Sequence, residues 1–228
     1  MGAMPTNLRM RDSGVRRLVP RLAPVEIHDK VLLMMRSGQH LCWSGDPVSE
    51  LWSVEHGSLK SYEVSRAGRE RVSGFYFRGD VLGCEALACG AFRANVVALE
   101  RSVVVALPVG ELLAGASGDG RRRTRLLDGI GAEFQRLQTR LSLEQCAADA
   151  RLASFLLWMG RCRGERLQGA AIRLPMSRGD IASYLGLAAE TVSRRLAGFQ
   201  GQGWIRLQRR TLWLDDPEGL RQLCEADC

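Results

Sequence analysis

The sequence predicts a two-domain α+β protein, and three observations carry that prediction. Residues 22–110 run as short alternating strands broken by glycine. Leu127, Ile130, Phe134, Leu137 and Leu141 then recur at alternating spacings of three and four, the seam of a long helix. Last, two short helical patterns meet at Gly186 ahead of a basic hairpin. The implied organisation is an N-terminal tail over 1–21, a β domain over 22–117, a long helix over 118–148 and a helical and hairpin domain over 149–228.

The tail, "MGAMPTNLRMRDSGVRRLVP", is polar and basic and lacks the apolar centre that a signal peptide needs. No apolar run elsewhere approaches the ~18 residues that span a bilayer. A cytoplasmic protein without a membrane partner is expected. In the β domain, "LWSVEHGSLKSYEVSRAGRERVSGFYFRGDVLG" alternates apolar and polar residues between breaks at Gly57, Gly68, Gly79 and Gly83. Two β-branched runs follow in "ANVVALERSVVVALP". Many short strands of this kind bury one face each, so a sandwich or barrel is expected.

The apolar stripe of the long helix is narrow and flanked by Arg136, Gln138, Arg140 and Glu144. A helix packed on its own domain presents a wider face. A seam between two copies presents one this narrow, and that reading is favoured. The stripe weakens at Glu144 and Ala148, the next two seam positions. A second helix, about 149–162, carries Leu152, Phe155, Leu156 and Met159 on one face.

Ser177 followed by Asp180 is a capping-box variant, and Ile181, Tyr184 and Leu185 give the helix it opens an apolar face. Gly186 ends that helix in a tight turn. On a wheel of about 100° per residue, Val192, Leu196 and Phe199 of the next helix face inward. Glu190, Ser193, Arg194 and Ala197 face outward. Ala188 stands where a Ser or Thr cap is usual. "WIRLQRRTLWLDD" then alternates as two strands with Gln208, Arg209 and Arg210 at the turn, which makes the unit winged.

Charge points to the same segment. The chain carries a net +7, and residues 169–214 hold seven Arg against Asp180 and Glu190. Arg can donate two hydrogen bonds to guanine, Glu can accept from cytosine, and Ser can do either. Glu190, Ser193 and Arg194 are therefore candidates for base contacts. Arg178, Arg195, Arg209 and Arg210 are candidates for phosphate contacts. The plainer alternative is a surface ion pair between Glu190 and Arg194, worth about 0.3–0.5 kcal/mol. The Gly turn, the local basicity and the hairpin together favour DNA.

No Ser/His/Asp set, H-E-x-x-H helix or G-K-[ST] loop occurs, so enzyme chemistry is not expected. The seven cysteines are irregularly spaced without a C-x-x-C. They predict neither a disulfide framework nor a metal site, and most should be reduced.

"RGDIASYLGLAAETVSRRLAGFQGQGWI" resembles the DNA-binding region of the FNR branch of the CRP/FNR transcription regulators, with Glu190, Ser193 and Arg194 as its E-x-x-S-R. "SGDPVSELWSVEHGSLKSYEVSRAGRERVSGFYFRGDVLGCEAL" resembles the family's sensory β-roll, a cyclic-nucleotide-binding-like jelly roll. The seam helix sits where the family places its dimerisation helix. The resemblance covers about residues 22–222. It implies a homodimeric activator or repressor that contacts RNA polymerase. The implied target is a palindrome in double-stranded DNA with TTGAT-like half-sites. The weakening seam between the two halves further suggests that a β-roll signal repositions the seam helices.

Departures from the family pattern matter too. Oxygen-sensing members hold a [4Fe–4S] centre on four cysteines. Here no Cys precedes Cys42 and Val105 stands at the central position, so no cluster is expected. In the cAMP-binding branch a Glu follows the β-roll Gly and an Arg-Ser pair meets the phosphate. Here Cys84 follows Gly83 and Ala94 follows Arg93, so a cAMP pocket is not expected. Gly83, Cys84, Glu85 and Arg93 remain a candidate effector pocket. Its signal stays open between haem on His28, His40 or His56, a nucleotide near the basic "GDGRRRTR", thiol redox chemistry at Cys84 and Cys89, and no signal at all, the activity being constitutive. The alternative to a regulator is a small-molecule or thiol redox-sensing protein with only non-specific nucleic-acid affinity.

Overall fold

The computed structural model describes residues 24–27, 30–110, 120–162, 169 and 171–226. Nine strands come first: β1 (Pro24–Ile27), β2 (Lys30–Met35), β3 (His40–Cys42), β4 (Glu50–His56), β5 (Leu59–Val64), β6 (Glu70–Tyr76), β7 (Val81–Leu82), β8 (Asn95–Ala98) and β9 (Ser102–Pro108). A short helix, α1 (Ala86–Cys89), interrupts them. All pairings are antiparallel, in one sheet ordered β1-β2-β9-β4-β7 and another ordered β3-β8-β5-β6. The alternation read from the sequence places Trp52, Val54, Val104 and Ala106 of the first sheet against Leu59, Val96 and Ala98 of the second, in one core. This is the expected β-roll. Val105, one residue out of phase with that face, is buried beside Leu32 and Ser53 of the neighbouring strands.

The long helix, α2, spans Gly120–Leu143 and so ends before 148, residues 144–147 forming a turn; residues 118 and 119 lie outside the described residues. The weakening of the stripe at Glu144 and Ala148 is thus the end of the helix. Leu127, Ile130, Phe134, Leu137 and Leu141 are between 43% and 68% exposed. The rest of α2 is well anchored. Leu126 packs on a small core of Leu51, Val81 and Leu107. Arg136 pairs with Asp80 at 3.1 Å and lies over the Tyr76 ring. One chain therefore buries the wrong face for the apolar stripe and leaves the stripe open.

The second domain contains α3 (Ala148–Cys162), α4 (Arg178–Leu185), α5 (Ala189–Gly201) and α6 (Pro217–Ala226). Its sheet, ordered β10-β12-β11, comprises β10 (Ala171–Arg173), β11 (Ile205–Gln208) and β12 (Thr211–Leu214). The hairpin β11–β12 matches the sequence reading, whereas β10 and α6 were not foreseen. Strand β10 has three residues, too few to show a period. Helix α6 did carry a signal: Pro217 at its first position and an Asp216 carboxylate accepting from the N–H groups of Glu218 and Gly219.

The two domains share one core. Val72, Phe75 and Phe77 of the β-roll are buried with Leu152, Phe155, Ile181, Tyr184 and Leu196. Among the described cysteines, Cys42, Cys84, Cys89, Cys162 and Cys224 form no disulfide, but Cys146 is disulfide-bonded. Most of the described cysteines are thus reduced, as expected, and the bond at Cys146 is one that spacing along the chain could not report. Among the described residues, no helix is long and apolar enough to cross a membrane.

Candidate nucleic-acid interface

Helix α4 starts from a complete capping box. Ser177 Oγ accepts from the Asp180 N–H at 3.0 Å, and the Asp180 carboxylate accepts from the Ser177 N–H at 2.9 Å. Each bond satisfies one of the orphan donors of a helix start. The helix ends at Gly186 with φ +67°, a left-handed conformation that glycine adopts without strain. Leu187 folds back at once, its N–H bonded to Ala182 O at 2.9 Å, and Ala188 opens α5. Ala188 has the extended backbone of a cap but offers no side-chain bond.

Burial on α5 divides as the wheel requires. Val192, Leu196 and Phe199 are in the core, while Glu190, Arg194 and Ala197 are exposed and Ser193 is half-buried. The structure thus brings the three candidate base-reading side chains onto one open helical face. The four other arginines are less alike. Arg178 reaches from α4 to donate to Ser193 Oγ at 3.3 Å, so it adjoins the stripe. Arg209 stands exposed at the hairpin tip with φ +55°. Arg210 also lies at the tip but donates to Pro175 O at 3.3 Å. Arg195 points sideways and pairs with Asp149 at 2.7 Å, which fastens α5 to α3.

Several residues that hold this unit in place escaped the sequence reading. Lys60 of β5 pairs with Asp180 of the capping box. The Val72 N–H donates to Ser183 Oγ at 2.9 Å. Arg151 donates to Glu144 O at 2.8 Å, Cys146 O at 2.9 Å and Leu185 O at 3.2 Å, tying the α2–α3 turn to the end of α4. The one available clue was compositional: Lys60 is one of two lysines among 32 basic residues.

At the β-roll corner, Gly83 has φ +90°, and a Cβ there would lie 2.8 Å from Phe92 Cε1. The Phe92 ring therefore fills the space beside the turn. Burial pushes the Cys84 thiol up to about 11, with Glu85 and Glu133 adding to the effect. Burial also raises the Glu85 carboxyl, and the neighbouring Glu133 raises it further. Arg93 is exposed. Of the histidines, His40 stacks on Trp43 at 3.8 Å and shares a 2.8 Å hydrogen bond with the Tyr62 hydroxyl, a structural role. His56 is exposed at the end of β4, and His28 lies outside the described residues, as do residues 118 and 119 of the basic "GDGRRRTR".

A β-roll, a helix with an open apolar stripe and a winged helix-turn-helix presenting Glu190, Ser193 and Arg194 are the architecture of a DNA-binding transcription regulator. Residues 33–117 match the cyclic nucleotide-binding domain, and residues 150–223 match the Crp-like helix-turn-helix domain. The chain is 33% identical over 193 residues to the fumarate and nitrate reduction regulatory protein of Escherichia coli strain K12, covering 83% of this chain and 76% of that one. It is 31% identical over 191 residues to electron transport regulator A of Shewanella oneidensis, with the same coverage. The solved structure of FixK2 from Bradyrhizobium japonicum superposes with a TM-score of 0.75 at 28% identity, covering 85% of this chain and 96% of that one. The chain belongs to the CRP/FNR family of transcription regulators.

Proposed function

We propose that the protein is a cytoplasmic homodimer that reads palindromic DNA with TTGAT-like half-sites and passes a β-roll signal to that DNA. The observation that carries this is the outward stripe of α5, where Glu190 and Arg194 are exposed beside Ser193 while the opposite face is buried. Such a helix fits the major groove, and its three side chains supply donors and acceptors matched to base edges. Arg209 at the hairpin tip and Arg178 at the start of α4 stand where flanking phosphates would run. Arg195 and Arg210 act first on the protein itself.

The exposed stripe of α2 supports a second copy as its cover. Pairing along it sets two recognition helices about 34 Å apart, one turn of B-DNA. In the family such a dimer contacts RNA polymerase, and the same is proposed here. The β-roll corner offers a cyclic phosphate little support: Cys84 follows Gly83, Ala94 follows Arg93, and Glu85 and Glu133 bring negative charge to the corner. Thiol redox chemistry at Cys84 has little support either, because a thiol raised to about 11 is protonated at neutral pH.

Fluorescence anisotropy tests the reading. Two inverted TTGAT half-sites in one duplex should bind about 1,000-fold or more tighter than a scrambled duplex at the same salt. Equal affinities would leave only charge attraction and sink the proposal.

A further inference from the structure

A cavity of about 330 Å³ lies where α2, α3 and α4 meet, apart from both the β-roll corner and the α5 stripe. Its size falls within the roughly 300–1,000 Å³ of small-ligand sites. One wall is aromatic: Trp158 stacks with Tyr184 at 6.3 Å and meets Phe155 at 5.7 Å. The opposite wall is α2, through Arg136 and Thr139. These two positions sit more than about 120° round the helix from the centre of the apolar stripe, so a second copy on that stripe would leave the cavity open.

The charges differ in availability. Arg136 is committed to Asp80 and Glu133, both at 3.1 Å. Arg161, exposed at the cavity's edge on the last turn of α3, makes no ion pair among the described residues. A flat apolar wall beside one available guanidinium matches a ring that carries one negative charge.

We propose that this cavity binds a small aromatic monocarboxylate, its ring against Trp158 and its carboxylate on Arg161. The occupant lies between the helix that carries the stripe and the helix that leads the DNA-binding domain. It therefore favours one angle between them and couples to DNA affinity. That coupling, unlike the binding, rests on the function proposed above.

Calorimetric titration of the full chain with 2-naphthoate tests the site. One probe per protomer is expected, with affinity falling about tenfold in Arg161→Met. Thr139→Trp, which fills the cavity from an exposed position, should abolish binding. The neutral analogue naphthalene-2-methanol should bind about tenfold more weakly than the acid. Absence of saturable binding, equal affinity for acid and alcohol, or unchanged affinity in both variants overturns the site. Saturating 2-naphthoate should also shift affinity for the palindromic duplex by about fivefold or more, with the same factor in the reverse titration. A bound probe that leaves DNA affinity unchanged overturns the coupling. Failure to tell palindromic from scrambled duplex is seen without any probe and indicts base reading instead.

Discussion

Lys60 Nζ lies 2.5 Å from Asp180 Oδ1, so a lysine of the β-roll is paired with the capping residue of the first helix in the DNA-binding unit. Both side chains are largely buried, at 14% and 16% exposure. Asp180 therefore does two jobs: it ends the orphan donors of α4 and it anchors that helix to the β5–β6 hairpin. Glu70 contributes a second, more exposed carboxylate at 3.7 Å. The pair lies beside the shared core of Val72, Phe75 and Tyr184, so loosening it should be felt by both domains.

Lys60→Met removes one partner and leaves the Asp180 charge largely buried. A loss of about 3 kcal/mol in unfolding free energy is expected from urea denaturation. Asp180→Ala should cost more, because it also removes the capping box. Equal losses would mean that the cap contributes nothing beyond the ion pair.

The same pair sets an acid limb. Burial pushes the Asp180 carboxyl up, but the hydrogen bonds from Lys60 and Ser177 outweigh it and hold the carboxyl below its ordinary value. A depressed folded value means that the contribution is complete above the unfolded value of about 3.9 and is lost as pH falls through the folded one. Urea midpoints of the native chain and Lys60→Met should therefore differ at neutral pH and converge as pH drops below about 4. A gap that persists in acid would assign the stabilisation to packing of the lysine stem.

Phe134 and Leu137 occupy the middle of the exposed stripe. Replacing either with Asp places a charge opposite its own copy in any paired state. Sedimentation should show a shift to monomer, with palindrome affinity reduced about 100-fold or more while non-specific binding persists. Dimers of unchanged stability would show that another surface joins the copies.

Arg194 and Arg209 should separate specificity from attraction. Arg194→Ala is expected to cost about 1–3 kcal/mol on a matched duplex and far less on random DNA. Arg209→Ala should weaken both alike and lower the salt slope by about 1. Anisotropy across a salt series reads both quantities.

Ala188 already has φ −78° and ψ +147°, the backbone a capping serine uses. Ala188→Ser should therefore raise stability by about 1 kcal/mol in thermal unfolding, through a bond to an N–H in the first turn of α5. No gain would mean that these donors are satisfied in another way.

Local periodicity determined much of this protein from sequence alone. Alternation set which residues of β4 and β9 face the β-roll core, and the 3.6-residue period set which face of α5 is open, because both patterns follow from backbone geometry. Ser177, Asp180 and Gly186 were legible as a helix start and stop for the same reason, since capping is a matter of neighbours in the chain. The narrow stripe on α2 could also be read, though not the anchors that leave it exposed.

Only the tertiary structure decided what lies side by side across long separations. It joined Lys60 to Asp180, put Arg151 across the α2–α3 turn, turned Arg195 to Asp149 and Arg210 to Pro175, and opened a cavity between α2 and α3. An arginine facing water and one bonded to a distant carboxylate or carbonyl look identical in a sequence. Their difference is a distance, and distances between remote segments are set by how whole elements pack, not by the residues beside them.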